Sequence, residues 1–217
     1  MPPSAPSTGL YLAIETIAGD AQLGRLKQAL GSAPISALLI SPAPGSAFDE
    51  RTAKAMIELA QSKGVAAILA ADVALARSIR ADGVHIPWSE DVTDKYAEAR
   101  EILGDRFIVG ADAGRSRHDA MLIGEGNADY VAFGIPAHVE DRERARERRL
   151  DLVQWWAEIF EIPVVAFDVG EPSEAAALAA AGTDFIAVLL PKHLKPAEIP
   201  DWIAAFNQAI ADPQPAV

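Results

Sequence analysis

The sequence predicts a single (β/α)8 barrel, an α/β fold in which eight parallel strands close into a cylinder inside a ring of helices. Three observations carry that expectation. Apolar runs without polar alternation recur along the chain, as strands covered on both faces require. A helical pattern follows each run, and βαβ alternation of that kind builds a parallel sheet. The chain also repeats itself: "RADGVHI" (80–86), "NADYVAF" (127–133) and "GTDFIAV" (182–188) each turn on an aspartate into an apolar strand. Asp82, Asp129 and Asp184 stand 47 and 55 residues apart. A strand, a helix and two loops take about 25 residues, so each interval holds two such units.

Taken in order, the strands are "LYLAIE" (10–15), "ISALLIS" (35–41), "VAAILA" (65–70), "GVHI" (83–86), "RFIVGAD" from Arg106, "YVAF" (130–133), "IPVVAFD" from Ile162 and "DFIAVLL" (184–190). Between them lie amphipathic patterns. In the helix opened by Asp49 as N-cap, Ala53, Met56, Ile57 and Ala60 form one face and Gly64 marks the end. In "RRLDLVQWWAEIF", Leu150, Val153, Ala157 and Phe160 are the expected face. Eight such units close most economically into a barrel. The rival, an open doubly wound sheet, lacks its glycine-rich phosphate fingerprint after the first strand. Residues 1–9 are Pro/Ser-rich and read as a disordered arm, 10–211 as one barrel domain, and 212–217 as a flexible tail.

The chain has 217 residues, half of them apolar, which is enough to bury a core. No stretch reaches the roughly 18 apolar residues of a membrane span, and the N-terminus is no secretory signal. With no cysteine there is no disulfide, thiolate nucleophile or cysteine zinc site. A cytoplasmic location is expected. The net charge of −12 argues against nucleic acid as a partner and against a membrane surface. Small phosphorylated metabolites remain as partners if local cations hold them, and homo-oligomerisation is compatible with the sequence.

A barrel places its chemistry at the C-terminal ends of the strands. Reading those ends gives Glu15; Ser41 and Pro42; Asp72; His85 with Glu90 and Asp91; Asp112, Arg115 and Arg117; Gly134 and His138; Asp168 and Gly170; Lys192 and His193. Carboxylates mixed with cations suit a phosphorylated or metal-bound substrate. Arg115, Gly134, Asp168, Gly170 and Lys192 are the expected substrate-binding residues. Lys192 leads them, because loops after the last two strands commonly cradle phosphate. Its competing role is to pair with Asp168. His85 is expected to pack in the barrel, and Glu90 and Asp91 also suit a solvated helix start. Asp82, Asp129 and Asp184 precede their strands and are expected to form turns. "EDRERARERR" (140–149) invites reading as a polyphosphate clamp, but Glu140/Arg144 and Glu143/Arg146 have helical pairing distances, which favours a salt-bridged helix start.

The segments "ADVALARSIRADGVHIPWSED", "DRFIVGADAGRSRHDAM", "NADYVAFGIP" and "IPVVAFDVGEPSEAAALAAAGTDFIAVLLPK" resemble the thiamine phosphate synthase family over roughly residues 10–195. Thiazole tautomerases share its fold. The resemblance implies a transferase that joins hydroxymethylpyrimidine diphosphate to thiazole phosphate, losing diphosphate with Mg2+ assistance. The family's motifs fall unevenly on this chain. Gln-x-Arg-x-Lys of the second strand falls on Leu38, Ile40 and Pro42. Asn-Asp-Arg after the third falls on Ala70, Ala71 and Asp72, which leaves Asp72 one place late as a metal ligand. Gly-Gln-x-Asp after the fourth falls on Pro87 to Glu90 and keeps Glu90 as a second. The serine after the fifth strand falls near Asp112 or Ala113. Thr-x-Thr-Lys gives way to "AHVEDRERARERR", Gly-Gly falls on Asp168 and Val169, and Val-Ser on Leu189 and Leu190. Two functions follow from these matches and losses: a divergent synthase, or a non-catalytic binder or regulator of phosphorylated ligands. A different reaction on the barrel, using His85 or His138, is the third.

Overall fold

The apolar runs pair in parallel, each with the next in sequence, and the last returns to the first. In the computed structural model, which describes residues 8–16 and 20–214, the strands are β1 Gly9–Thr16, β2 Ala37–Pro42, β3 Ala66–Ala70, β4 Gly83–Ile86, β5 Ile108–Asp112, β6 Tyr130–Phe133, β7 Val164–Ala166 and β8 Phe185–Leu189. The helices are α1 Asp20–Ser32, α2 Glu50–Gln61, α3 Val73–Ser78, α4 Val92–Leu103, α5 Arg117–Glu125, α6 Arg142–Ile159, α7 Pro172–Ala180 and α8 Ile199–Ala211. The sheet is a closed barrel in the order β1 to β8, sealed by β1 on β8 with Gly9 opposite Phe185 and Ala13 opposite Leu189. This is the (β/α)8 fold that the spacing predicts. The expected arm falls mostly on residues 1–7 and the tail partly on 215–217, all outside the described residues; β1 begins at Gly9. No described helix is long and apolar enough to cross a membrane.

The two faces of each strand have different neighbours. Tyr11, Ala13, Leu39, Ile68, Ala70, Tyr130, Ala132, Val165 and Ala187 form a buried cluster drawn from strands alone, which is the barrel interior. Leu38, Ile40, Leu69, Val84 and their equivalents join the helix residues in the larger core between strands and helices. Period-two alternation then corrects the family register on β2. Leu38 and Ile40 face the helices, so the residues directed to the mouth are Leu39 and Ser41. Neither carries a positive charge, so the loss of both cations stands in either register.

The interior is tuned for bulk. A Cβ on Gly110 would fall 2.2 Å from the Tyr130 ring, so only glycine lets that tyrosine cross the barrel. His85 is buried there, its Nδ1 2.9 Å from Tyr130 Oη and its ring stacked on Phe167 at 4.6 Å. Burial holds its pKa down, at about 3, so it is neutral at physiological pH and serves packing.

The three repeated aspartates have a specific task at the opposite end. Asp82 Oδ2 accepts from Ala67 N at 2.7 Å, Asp129 Oδ2 from Val109 N at 2.8 Å, and Asp184 Oδ2 from Val164 N at 2.8 Å. Each ties the entry of one strand to the strand before it, so the repeat belongs to the scaffold. On the helices, Asp49 accepts from Thr52 N as the expected cap of α2, which buries Ala53, Met56, Ile57 and Ala60. The face of α6 differs from expectation. Its buried residues are Ala145, Arg149, Leu152, Val153 and Trp156, so the stripe includes an arginine.

Candidate active site

The mouth of the barrel is a cavity of about 560 Å3 lined by Trp88, Asp112, Ile135, Pro136, Ala137, His138, Arg142 and Asp168. Four elements meet there: the loops after β4 and β6, the end of β5 and the turn after β7. Asp112 and Asp168 approach one another across Gly134. A Cβ on Gly134 would lie 2.3 Å from Asp112 Oδ2 and 3.0 Å from Asp168 Oδ2, so a side chain at 134 would occupy the space between the two carboxylates.

Both carboxylates are held by backbone amides. Asp112 Oδ1 accepts from Gly114 N at 2.7 Å and Gly134 N at 2.9 Å. Asp168 Oδ2 accepts from Ile135 N at 2.7 Å. Asp168 has φ +58°, a left-handed conformation that aspartate tolerates better than most residues. Burial pushes the Asp112 carboxyl up to about 7. The two amides pull it back, the Asp168 charge adds to the rise, and Arg149 opposes it. Near neutral pH Asp112 is therefore the carboxyl of the pair that exchanges a proton.

Beneath the mouth lies Arg149, 1% exposed. Its guanidinium donates to the Phe167 carbonyl and to Glu174 Oε1, and Arg146 joins Glu174 at 3.4 Å. Glu174 Oε2 accepts from Gly170 N at 2.9 Å. This network fixes the β7 turn that carries Asp168. It also means that the amides of Gly134 and Gly170, two positions expected to meet substrate, already serve the protein's own carboxylates.

Lys192 follows β8, the neighbour of β7, and does not line the mouth cavity. Its Nζ lies 2.5 Å from Glu15 Oε2, with Lys192 about half exposed and Glu15 largely covered. The partner anticipated from sequence, Asp168, belongs to Ile135 instead. Closure explains this: the strand after β8 around the barrel is β1, whose end carries Glu15. Arg25 on α1 donates to the carbonyls of Lys192 and Leu194, at 3.0 and 2.6 Å, and so fixes the loop bearing Lys192. Arg115 is exposed and lines a separate groove with α6 residues.

The metal expectation meets a different arrangement. Asp72 Oδ1 accepts from Leu75 N at 2.9 Å and caps α3, while Glu90 is exposed on the loop before α4. Asp91 pairs with Lys95 at 2.9 Å, as a solvated helix start does. Among the described residues no group of three or more histidines and carboxylates is placed to hold a metal ion. Asp72 and Glu90 therefore form no ready-made ligand group, and a Mg2+ ion held through one or two carboxylates would take its other ligands from substrate phosphates and water. Sequence reasoning gave no role to Trp88 or Arg25, and named Arg142 and Arg149 only within the run 140–149. Arg142 donates to the Ile135 carbonyl at 3.2 Å, and Trp88 lies 5.1 Å from His138 across the cavity. An aromatic beside a strand end was a usable signal for Trp88. The helical spacing of Arg149 with Ala145 and Trp156 was one for Arg149.

Comparison with known proteins places this geometry. The thiamine monophosphate synthase family model matches residues 40–190. A thiamine-phosphate synthase from Hyphomonas neptunium is 35% identical over 190 residues, 84% of this chain and 85% of that one. Another, from Erythrobacter litoralis, is 39% identical over 140 residues, 64% of each chain. Among solved structures, a thiamine phosphate pyrophosphorylase from Pyrococcus furiosus has a TM-score of 0.73 at 20% identity, covering 96% of this chain and 98% of its own. That likeness concerns the fold. With the family model covering most of the barrel and relatives aligned along most of the chain, this protein belongs to the thiamine monophosphate synthase family.

Proposed function

We propose that the protein is a thiamine-phosphate synthase-like transferase with a weakened site, acting on small phosphorylated substrates. The supporting observation is the electrostatic division of the mouth. Lys192 projects on the β8 side and Arg142 at the rim, while Asp168 holds a carboxylate against the Ile135 amide on the β7 side. In the reaction of the relatives' family, the carbon–oxygen bond to diphosphate breaks and its electron pair leaves on the diphosphate. The thiazole nitrogen then bonds to the resulting pyrimidine-bearing carbon. Asp168 would favour the positive charge that develops there, while Lys192 and Arg142 would take the departing charge. No step here is assigned to Mg2+, for which the side chains offer no ready set.

A second reading, a non-catalytic binder, is favoured by one feature. Leu39 and Ser41 face the mouth where the family carries cations, and the rim amides are engaged by Asp112, Asp168 and Glu174. Each lost contact to a developing charge costs about 10²–10³ in rate. Product formation from hydroxymethylpyrimidine diphosphate and thiazole phosphate separates the readings. The transferase reading expects thiamine phosphate to accumulate at least about a hundredfold more slowly than roughly 1 per second. Binding of both substrates without product over hours would establish the binder. Turnover at or above about 1 per second would show that the missing cations do not limit the site.

A further inference from the structure

The arginine run at the start of α6 does not form the ion pairs its spacing suggests. Arg144 and Arg146 find neither Glu140 nor Glu143 within salt-bridge distance among the described residues. Instead the seven arginines of this region divide. Arg146 and Arg149 engage Glu174, Arg142 the Ile135 carbonyl, and Arg117 stacks 4.5 Å over the Trp155 ring. The other three, Arg115, Arg144 and Arg148, line one groove of about 450 Å3 between the β5–α5 loop and α6. None of these three has a salt-bridge partner among the described residues. The one carboxylate lining the groove, Asp141, caps α6 by accepting from Arg144 N at 3.1 Å. Three guanidiniums against one committed carboxylate reverse the sign of a chain whose net charge is −12.

We propose that this groove is a polyanion site that takes a chain of two or three phosphates on Arg115, Arg144 and Arg148. Guanidinium groups bind phosphate oxygens in pairs, and three of them spread along a groove match a phosphate chain better than a single orthophosphate. The groove shares no lining residue with the mouth cavity but adjoins it, since its Val139 and Asp141 are chain neighbours of His138 and Arg142 in the mouth. It does not depend on the transferase reading. An inorganic polyphosphate and the phosphate tail of a nucleotide offer the same chemistry. Its exposure makes the binding sensitive to salt.

Calorimetric titration of the full chain with inorganic triphosphate, without divalent metal and at about 50 mM salt, tests the site. Saturable binding is expected, at least about tenfold tighter than orthophosphate, and weakened at least about tenfold in Arg144→Gln/Arg148→Gln. Arg51→Gln, an exposed arginine on α2, should leave the affinity within about twofold. An ATP arm identifies the source. Equal affinity for ATP and triphosphate means that the phosphate chain alone is read, and tighter ATP means that the nucleoside adds contacts; both support the site. Absence of saturable binding overturns it. So does unchanged affinity in the double variant with circular dichroism intact, or equal weakening by Arg51→Gln.

Discussion

Replacing Arg149 with methionine is expected to cost about 3–5 kcal/mol of folding stability, the range for breaking a buried pair from one side. The side chain is 1% exposed, and its removal leaves the Phe167 carbonyl without this donor and Glu174 with only Arg146 and the Gly170 amide. For a domain of this size that corresponds to a loss of roughly 2–4 °C in Tm per kcal/mol. Burial lowers the pKa of Arg149 itself, and the charge of Glu174 opposes that shift, which marks the pair as mutually dependent. The double variant Arg149→Met/Glu174→Gln should therefore lose less than the sum of the two single losses. Strict additivity in denaturant titrations would show that the two residues act independently. The turn carrying Asp168 follows the Phe167 carbonyl directly, so loosening it should also degrade the mouth.

Asp112→Asn should act in the opposite direction, increasingly as pH rises from about 4 through 7. The folded-state pKa, about 7, lies above the ordinary value of 3.8, so the fold prefers the protonated carboxyl. The favourable contribution is complete below about pH 4 and is lost as pH rises through 7. The full difference is on the order of 4 kcal/mol, since each tenfold change in proton affinity is worth about 1.4 kcal/mol. Asparagine can keep the Oδ1 contacts to Gly114 and Gly134 and turn an N–H toward Asp168. At pH 8 the variant should be more stable than the wild type by about 1–3 kcal/mol, with the gap closing near pH 4. A variant less stable than wild type at pH 8 would contradict the burial-driven rise of the Asp112 pKa.

What could be read in the sequence, and what could not, divides along physical lines. The barrel was legible because apolar continuity and the spacing of Asp82, Asp129 and Asp184 are local properties of the chain. The turns at those aspartates were legible as well, though not their bonds to Ala67, Val109 and Val164, which lie on the preceding strands. Positions of Asp168 and Lys192 at strand ends followed from the fold; their partners did not. A left-handed backbone turns Asp168 toward Ile135, and closure brings Lys192 to Glu15. The run at 140–149 mixes arginines and carboxylates throughout, so nothing in it but helical phase separated buried Arg149 from exposed Arg148. Asp72 matched a metal ligand by neighbourhood in sequence, yet the same residue begins a helix, and its carboxylate caps that helix.

The proposed function stands on a phosphorylated substrate held in this mouth by Lys192. Calorimetric titration of thiazole phosphate into wild type and Lys192→Ala tests it most directly, beside a denaturation curve for each. Glu15 is largely covered on its side of the pair, so removing the lysine leaves a shielded carboxylate and should lower stability by about 1–3 kcal/mol. Affinity should fall at least about tenfold, or roughly 1.4 kcal/mol. Unchanged affinity in the variant would contradict the claim and move the phosphate away from Lys192.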